Sequence, residues 1–149
     1  MIDSSNIEEP SLVDAGQGSS VLKTIKYKGR FLYSKYNPTK AIETILSSTT
    51  IYEGTIILIF SPGLWYGLEE LLAKLPDNCP IIAVEKDSKL YLLEKEKLAE
   101  KGPTKNLIHF FTFSNTDEIS TAIQKFLEKG KIRRLIRVDF SAGVQLYSK

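Results

Sequence analysis

Ile56-Ile57-Leu58-Ile59-Phe60 is apolar at every position. A strand wet on one face alternates apolar with polar side chains, so an unbroken run this short predicts a strand covered on both faces, as at the centre of a parallel sheet. Parallel neighbours need crossover connections, and the rest of the chain supplies them. Residues 66–75 read as a helix with Leu68, Leu71, Leu72 and Leu75 on one face, and Ile81-Ile82-Ala83-Val84 reads as a strand. Residues 87–101 read as a helix that turns Leu90, Leu93 and Leu98 inward and Glu94, Lys95, Glu96 and Lys97 toward water. Residues 107–113 form the next predicted strand. Asn115 and Glu118 make a capping box for a helix buried through Ile119, Ala122, Ile123 and Phe126 and stopped at Gly130; residues 135–140 are the last strand. Because crossovers are right-handed, this alternation predicts an α/β fold: a Rossmann-like open, mostly parallel sheet flanked by helices.

Upstream, the charge pattern divides the chain. Residues 1–20 carry Asp3, Glu8, Glu9 and Asp14 with no base and few large apolar side chains, which predicts a flexible acidic tail. Residues 21–37 reverse the sign with Lys23, Lys26, Lys28, Arg30 and Lys35. Within them, apolar runs on either side of Lys28-Gly29-Arg30 predict a β-hairpin. Asn37-Pro38 then opens a helix carrying Ala41, Ile42, Ile45 and Leu46, with Asn37 as its cap. Residues 21–149 are thus expected to be a single domain.

Several function classes fall away on composition. One Cys and one His cannot build a zinc framework or a disulfide scaffold, and Cys79 reads as a reduced, inert thiol in a turn. Twenty basic against 18 acidic residues give a net charge of +2, which offers no argument for nucleic acid. No run approaches the roughly 20 apolar residues that span a bilayer, and residues 1–20 lack a signal pattern, so a cytoplasmic protein without membrane contact is expected.

In such a sheet a ligand lies outside the carboxyl ends of the strands. The candidate loops are Ser61-Pro62-Gly63-Leu64-Trp65, Glu85-Lys86-Asp87, Ser114-Asn115 and the turn at Asp139. A nucleotide loop needs glycines so that backbone N–H groups can close on the ligand. Gly63 survives, with Leu64 beside it, whereas the side chains of Ser61 and Trp65 would crowd a pyrophosphate or a methionine moiety. Glu85, 22 residues after Gly63, stands where dinucleotide and S-adenosylmethionine folds place an acid on ribose hydroxyls; equally, it can support the start of the following helix. Gly63, Leu64 and Glu85 are therefore the candidate ligand contacts, and a nucleotide or nucleotide-sugar is the ligand class. Trp65-Tyr66 reads as core packing ahead of a stacking platform, His109 as a buried or edge histidine, and Asp139 as a turn carboxylate. The cluster Lys129, Lys131, Arg133, Arg134 and Arg137 reads as a solvated face. No catalytic residue emerges: no nucleophile partners His109, and no Walker A or G-x-S-x-G motif is present.

The segments Phe31-Leu32-Tyr33-Ser34-Lys35-Tyr36-Asn37-Pro38-Thr39-Lys40-Ala41, Ser61-Pro62-Gly63-Leu64-Trp65-Tyr66 and Ile82-Ala83-Val84-Glu85-Lys86-Asp87 carry a family likeness over residues 27–140. The chain resembles the N-terminal part of the motility-associated factor glycosyltransferases, whose wider family includes archaeal 6-hydroxymethylpterin pyrophosphokinase-like proteins. That resemblance implies flagellin glycosylation, with a nonulosonic acid passed from a CMP-activated donor to Ser or Thr. Lys40 replaces the family's Glu, Ser61 and Trp65 replace Gly, Gly67 replaces a common His, and the G-P-S-L region that follows in the family is not found. The implied role is therefore an accessory or scaffold module, with a downstream catalytic domain or flagellin as partner. The alternatives are an S-adenosylmethionine-dependent methyltransferase-like nucleotide-binding domain and a protein-interaction module docking through the hairpin and Trp65-Tyr66.

Overall fold

The structure, a computed structural model, describes residues 9–15, 22–34, 36–112, 116–129 and 131–142. Its centre is a four-stranded parallel sheet of β4 (Thr55–Phe60), β5 (Ile81–Glu85), β6 (Ile108–Thr112) and β7 (Arg134–Asp139), in the order β6-β5-β4-β7. The register runs Ile57 to Ile81 and Ile136, and Ile81 to Ile108. The apolar run 56–60 therefore occupies an inner strand, as expected of side chains that need cover on both faces. The connections are α2 (Leu68–Lys74), α3 (Ser88–Ala99) and α4 (Thr116–Glu128), with a 3-10 turn at Gly102–Leu107 ahead of β6. The Rossmann-like α/β expectation holds.

One face of the sheet, through Ile57, Ile59, Ile81, Ala83 and Val138, packs on Leu68 and Leu71 of α2, Leu98 of α3, and Ile42 and Leu46 of α1 (Lys40–Ser48). Each of the larger side chains, Ala83 apart, contributes about 1.5–3 kcal/mol by leaving water. The opposite face, through Ile56, Ile82 and Val84, meets Ile119, Ala122, Ile123 and Phe126 of α4. Leu58 and Phe60 are only half-buried on that side, and Leu135 of β7 is 49% exposed there. The Arg137 guanidinium lies over the Phe60 ring, 4.2 Å from its centroid.

A second sheet, β1-β2-β3, is antiparallel: β1 (Ser11–Ala15), β2 (Leu22–Tyr27) and β3 (Arg30–Phe31). The expected hairpin is β2-β3. The expected tail is different in part, because residues 11–15 form a strand along β2, with Asp14 paired to Lys23. Backbone pairing and charge complementarity with the basic β2 stretch, with Leu12, Val13 and Ala15 as the apolar part of the strand, outweigh the low apolar content of residues 1–20 as a whole. This small sheet joins the body through Ile25, Tyr27, Leu32 and Tyr33, which pack on Leu64 and Leu90. Two helix starts also differ from expectation. Thr39, not Asn37, is the cap residue of α1, without a side-chain bond to the helix, and α2 begins at Leu68 after the turn that holds Tyr66. Asn115 and Gly130, the expected cap and stop of α4, lie outside the described residues.

Candidate functional site

The strand order reverses at β4, so the crevice of such a sheet opens beyond the carboxyl ends of β4 and its neighbours. Here the 61–67 loop follows β4, Glu85 ends β5, and Ser141 follows β7. The loop is tightly wound: Ser61, Gly63, Trp65 and Gly67 all have positive φ, at 52°, 60°, 64° and 94°. For Ser and Trp the left-handed region costs about 1–2 kcal/mol each, so the surroundings must hold them there.

Those surroundings are identifiable. Gly63 N–H donates to Glu94 Oε2 at 2.9 Å, and Leu64 N–H donates to the Tyr33 hydroxyl at 2.8 Å. The same hydroxyl donates to the Pro62 carbonyl at 3.1 Å. Trp65, fully buried, donates its indole N–H to the Glu94 carbonyl at 2.8 Å. Ser61 donates to Glu85 Oε1 at 2.9 Å, and Ser141 donates to the Ser61 carbonyl at 2.9 Å. The N–H groups of Gly63 and Leu64, the expected ligand contacts of this loop, are thus satisfied by the protein's own carboxyl and phenol groups.

Each of the three expected ligand contacts is placed by this network. Gly63 and Leu64 are buried. A Cβ at residue 63 would lie 2.2 Å from the Tyr33 hydroxyl oxygen, so the glycine makes room for Tyr33. Glu85 is fully buried, with Oε1 on Ser61 and Oε2 accepting the Asp87 N–H at 3.0 Å. It therefore supports the turn into α3, one of the two roles its position allowed. Asp87 caps α3 by accepting from Lys89 and Leu90 N–H at 3.0 Å each, and it also receives the Tyr27 hydroxyl and the Lys28 ammonium. Burial raises the Asp87 carboxyl, but the Leu90 N–H, Lys28 and Tyr27 together outweigh it and hold the group below its ordinary range.

Glu94 corrects the reading of α3. It was expected to face water, yet it is fully buried, in line with Leu90 and Leu98. The spacing Leu90, Glu94, Leu98 is one helix face at intervals of four, and that was the available signal. Among the described residues its Oε1 is the buried side-chain atom left without a hydrogen-bond partner. Burial, then the adjacent Glu85, push its carboxyl well above the ordinary range, against the pull of the Gly63 N–H. Tyr33, the other residue the sequence reading passed over, has a phenol raised chiefly by burial. The remaining expectations fall outside this network. His109 is exposed on edge strand β6 with its ring against Phe126, Cys79 lies in a turn near the Tyr52 carbonyl, and Asp139 pairs with Arg137 at 2.8 Å. Arg134 stacks over Tyr52 on the β7 side.

No family model and no solved structure matches the chain. An uncharacterized protein of Treponema pallidum (strain Nichols) is similar, 22% identical over 138 residues. That match takes in 93% of this chain and 23% of the relative, so the chain spans under a quarter of the relative's length. Among the described residues no helix is long and apolar enough to cross a membrane.

Proposed function

We propose that the chain acts as the Rossmann-like N-terminal domain of a motility-associated-factor-type glycosyltransferase, a cytoplasmic accessory or scaffold module that does not itself hold the donor nucleotide. The observation that supports this is the closure of the 61–67 loop on Tyr33 and Glu94, which occupies both N–H groups a phosphate would need. The glycosyltransferase assignment rests on the resemblance of residues 27–140. A similar protein more than four times the length of the matched region is in keeping with a domain that serves a larger enzyme. In this reading CMP and its sugar are bound by a downstream catalytic domain, flagellin is the acceptor, and the partly open sheet face at Leu58, Phe60 and Leu135 receives that domain.

Calorimetry with CMP tests the proposal. The chain alone is expected to give no binding heat at millimolar CMP, and a protein that also carries the downstream region is expected to bind it. Tight CMP binding by the chain alone would remove the scaffold reading. Binding of S-adenosylmethionine, abolished by Glu85→Ala, would put a methyltransferase-like domain in its place.

A further inference from the structure

Alternate residues of the 61–67 loop are tied to two glutamates on the neighbouring elements. Ser61 is held by the Glu85 carboxylate, Gly63 by the Glu94 carboxyl and Trp65 by the Glu94 carbonyl. Both glutamates are fully buried. Glu85 has both oxygens engaged, whereas Glu94 has one oxygen on Gly63 and the other without a donor. A proton on Glu94 Oε1 turns that unsatisfied acceptor into a donor, and the adjacent Glu85 is the acceptor that can take it. Two carboxylates in one dry site repel, so a single proton between them resolves both the repulsion and the orphaned atom.

We propose that the Glu85–Glu94 pair is a proton lock on the 61–67 loop: while the pair holds one proton the loop stays closed on its own N–H groups, and loss of that proton releases it. The charged and titratable groups around the pair fit this role. Asp87, at the start of α3, adds negative charge, and the Tyr33 phenol lies on the side of the small sheet. Lys28 is taken up by Asp87, Lys97 pairs with Glu100, and Lys95 lies over the Tyr91 ring. When the proton leaves, the two carboxylates repel across the site. Gly63 N–H itself favours the charged Glu94 carboxylate, so the release acts through position: as the carboxylates move apart, the bonds they make to Ser61 and Gly63 cannot both be kept, Trp65 two residues on loosens with them, and the left-handed backbone at Ser61 and Trp65 can relax. A carboxyl raised in the folded state contributes stability at low pH that is lost as pH climbs through its folded titration, so the lock opens on the alkaline side.

The single tryptophan reports on the loop directly, because Trp65 is buried and bonded to Glu94. In the unsubstituted chain, infrared spectroscopy is expected to show a protonated-carboxyl band at neutral pH. As that band disappears at higher pH, acrylamide quenching of Trp65 is expected to rise severalfold at the same midpoint, with far-UV circular dichroism unchanged. Glu94→Gln, whose amide can accept from Gly63 and donate to Glu85 without titrating, should lack the band and keep quenching low throughout. No protonated carboxyl at neutral pH, different midpoints for band and quenching, loss of circular dichroism at that midpoint, or the same rise in Glu94→Gln would each overturn the lock. The comparison of midpoints in the unsubstituted chain decides the matter even if the variant does not fold.

Discussion

A methyl group added at Gly63 would sit 2.2 Å from the Tyr33 hydroxyl oxygen and 2.9 Å from the ring carbon that bears it. Gly63→Ala therefore has two costs. Holding alanine at a φ of 60° costs about 1–2 kcal/mol. Displacing Tyr33 breaks its bonds to the Leu64 N–H and the Pro62 carbonyl, and leaving those buried groups unpaired costs roughly 1–3 kcal/mol. Tyr33→Phe incurs only the second cost. In the double variant the hydroxyl that opposed the methyl is gone and its bonds are already lost, so what is added is the backbone cost and a smaller shift of the ring, whose carbon still lies 2.9 Å from the methyl. The double variant should thus be more stable than the sum of the two single changes predicts, by about 1–3 kcal/mol. Urea denaturation of the four proteins measures this, with equal m-values as the check that unfolding remains two-state. Strict additivity would show that Gly63 and Tyr33 do not share one interaction, and the account of why glycine stands there would fail.

Asp87→Ala should cost about 0.5–2 kcal/mol at neutral pH through loss of the α3 cap. Because the Asp87 carboxyl is held below its ordinary range when folded, that stability is present above the unfolded value of about 4 and is lost as pH falls through the folded one. The gap between variant and parent should close in acid, as read by urea midpoints across pH. Leu71→Ala, at a fully buried position between α2 and the sheet, should lower stability by about 2–5 kcal/mol in the same assay. Leu135→Lys should leave the isolated chain within about 0.5 kcal/mol of its parent, since the residue is half-exposed. In a protein carrying the downstream region, however, it should weaken domain association in limited proteolysis.

The strands and helices of the sheet were legible because each needs a local pattern and burial on a sheet face enforces it. The run Ile56 to Phe60 is too short for a helix and apolar throughout, which favours an inner strand, and Leu68 with Leu71 share one helix face turned to the core. What failed depended on partners distant in sequence. Residues 11–15 hold Leu12, Val13 and Ala15 in a run too short to fold alone, within a stretch that is otherwise acidic and small, and they become a strand because β2 offers an edge and Lys23 a counter-charge. The α1 cap shifted because the turn through Pro38 and Thr39 sets where the first helical residue falls, and the capping preference of Asn37 does not decide that.

The site was legible in position but not in content. Gly63 and Glu85 stand where a nucleotide fold would place them, yet a glycine identifies only a close approach, not what approaches. Here the approaching group is the phenol of Tyr33, just past the last strand of the small sheet and 30 residues upstream of the glycine. A carboxylate at a strand end likewise reports a need for an acceptor, and for Glu85 the donors are Ser61 and the Asp87 N–H. Glu94 was hidden because helix patterning treats glutamate as a marker of water. Placed between Leu90 and Leu98 on one face, it obeys the geometry of burial while breaking its chemistry. Such a conflict can persist only where the charge is removed or matched. An acid at the middle of an apolar helix stripe is thus itself a sign that the core needs an acceptor there, whereas the loop it meets, Gly63 at a sequence separation of 31, is set by the fold.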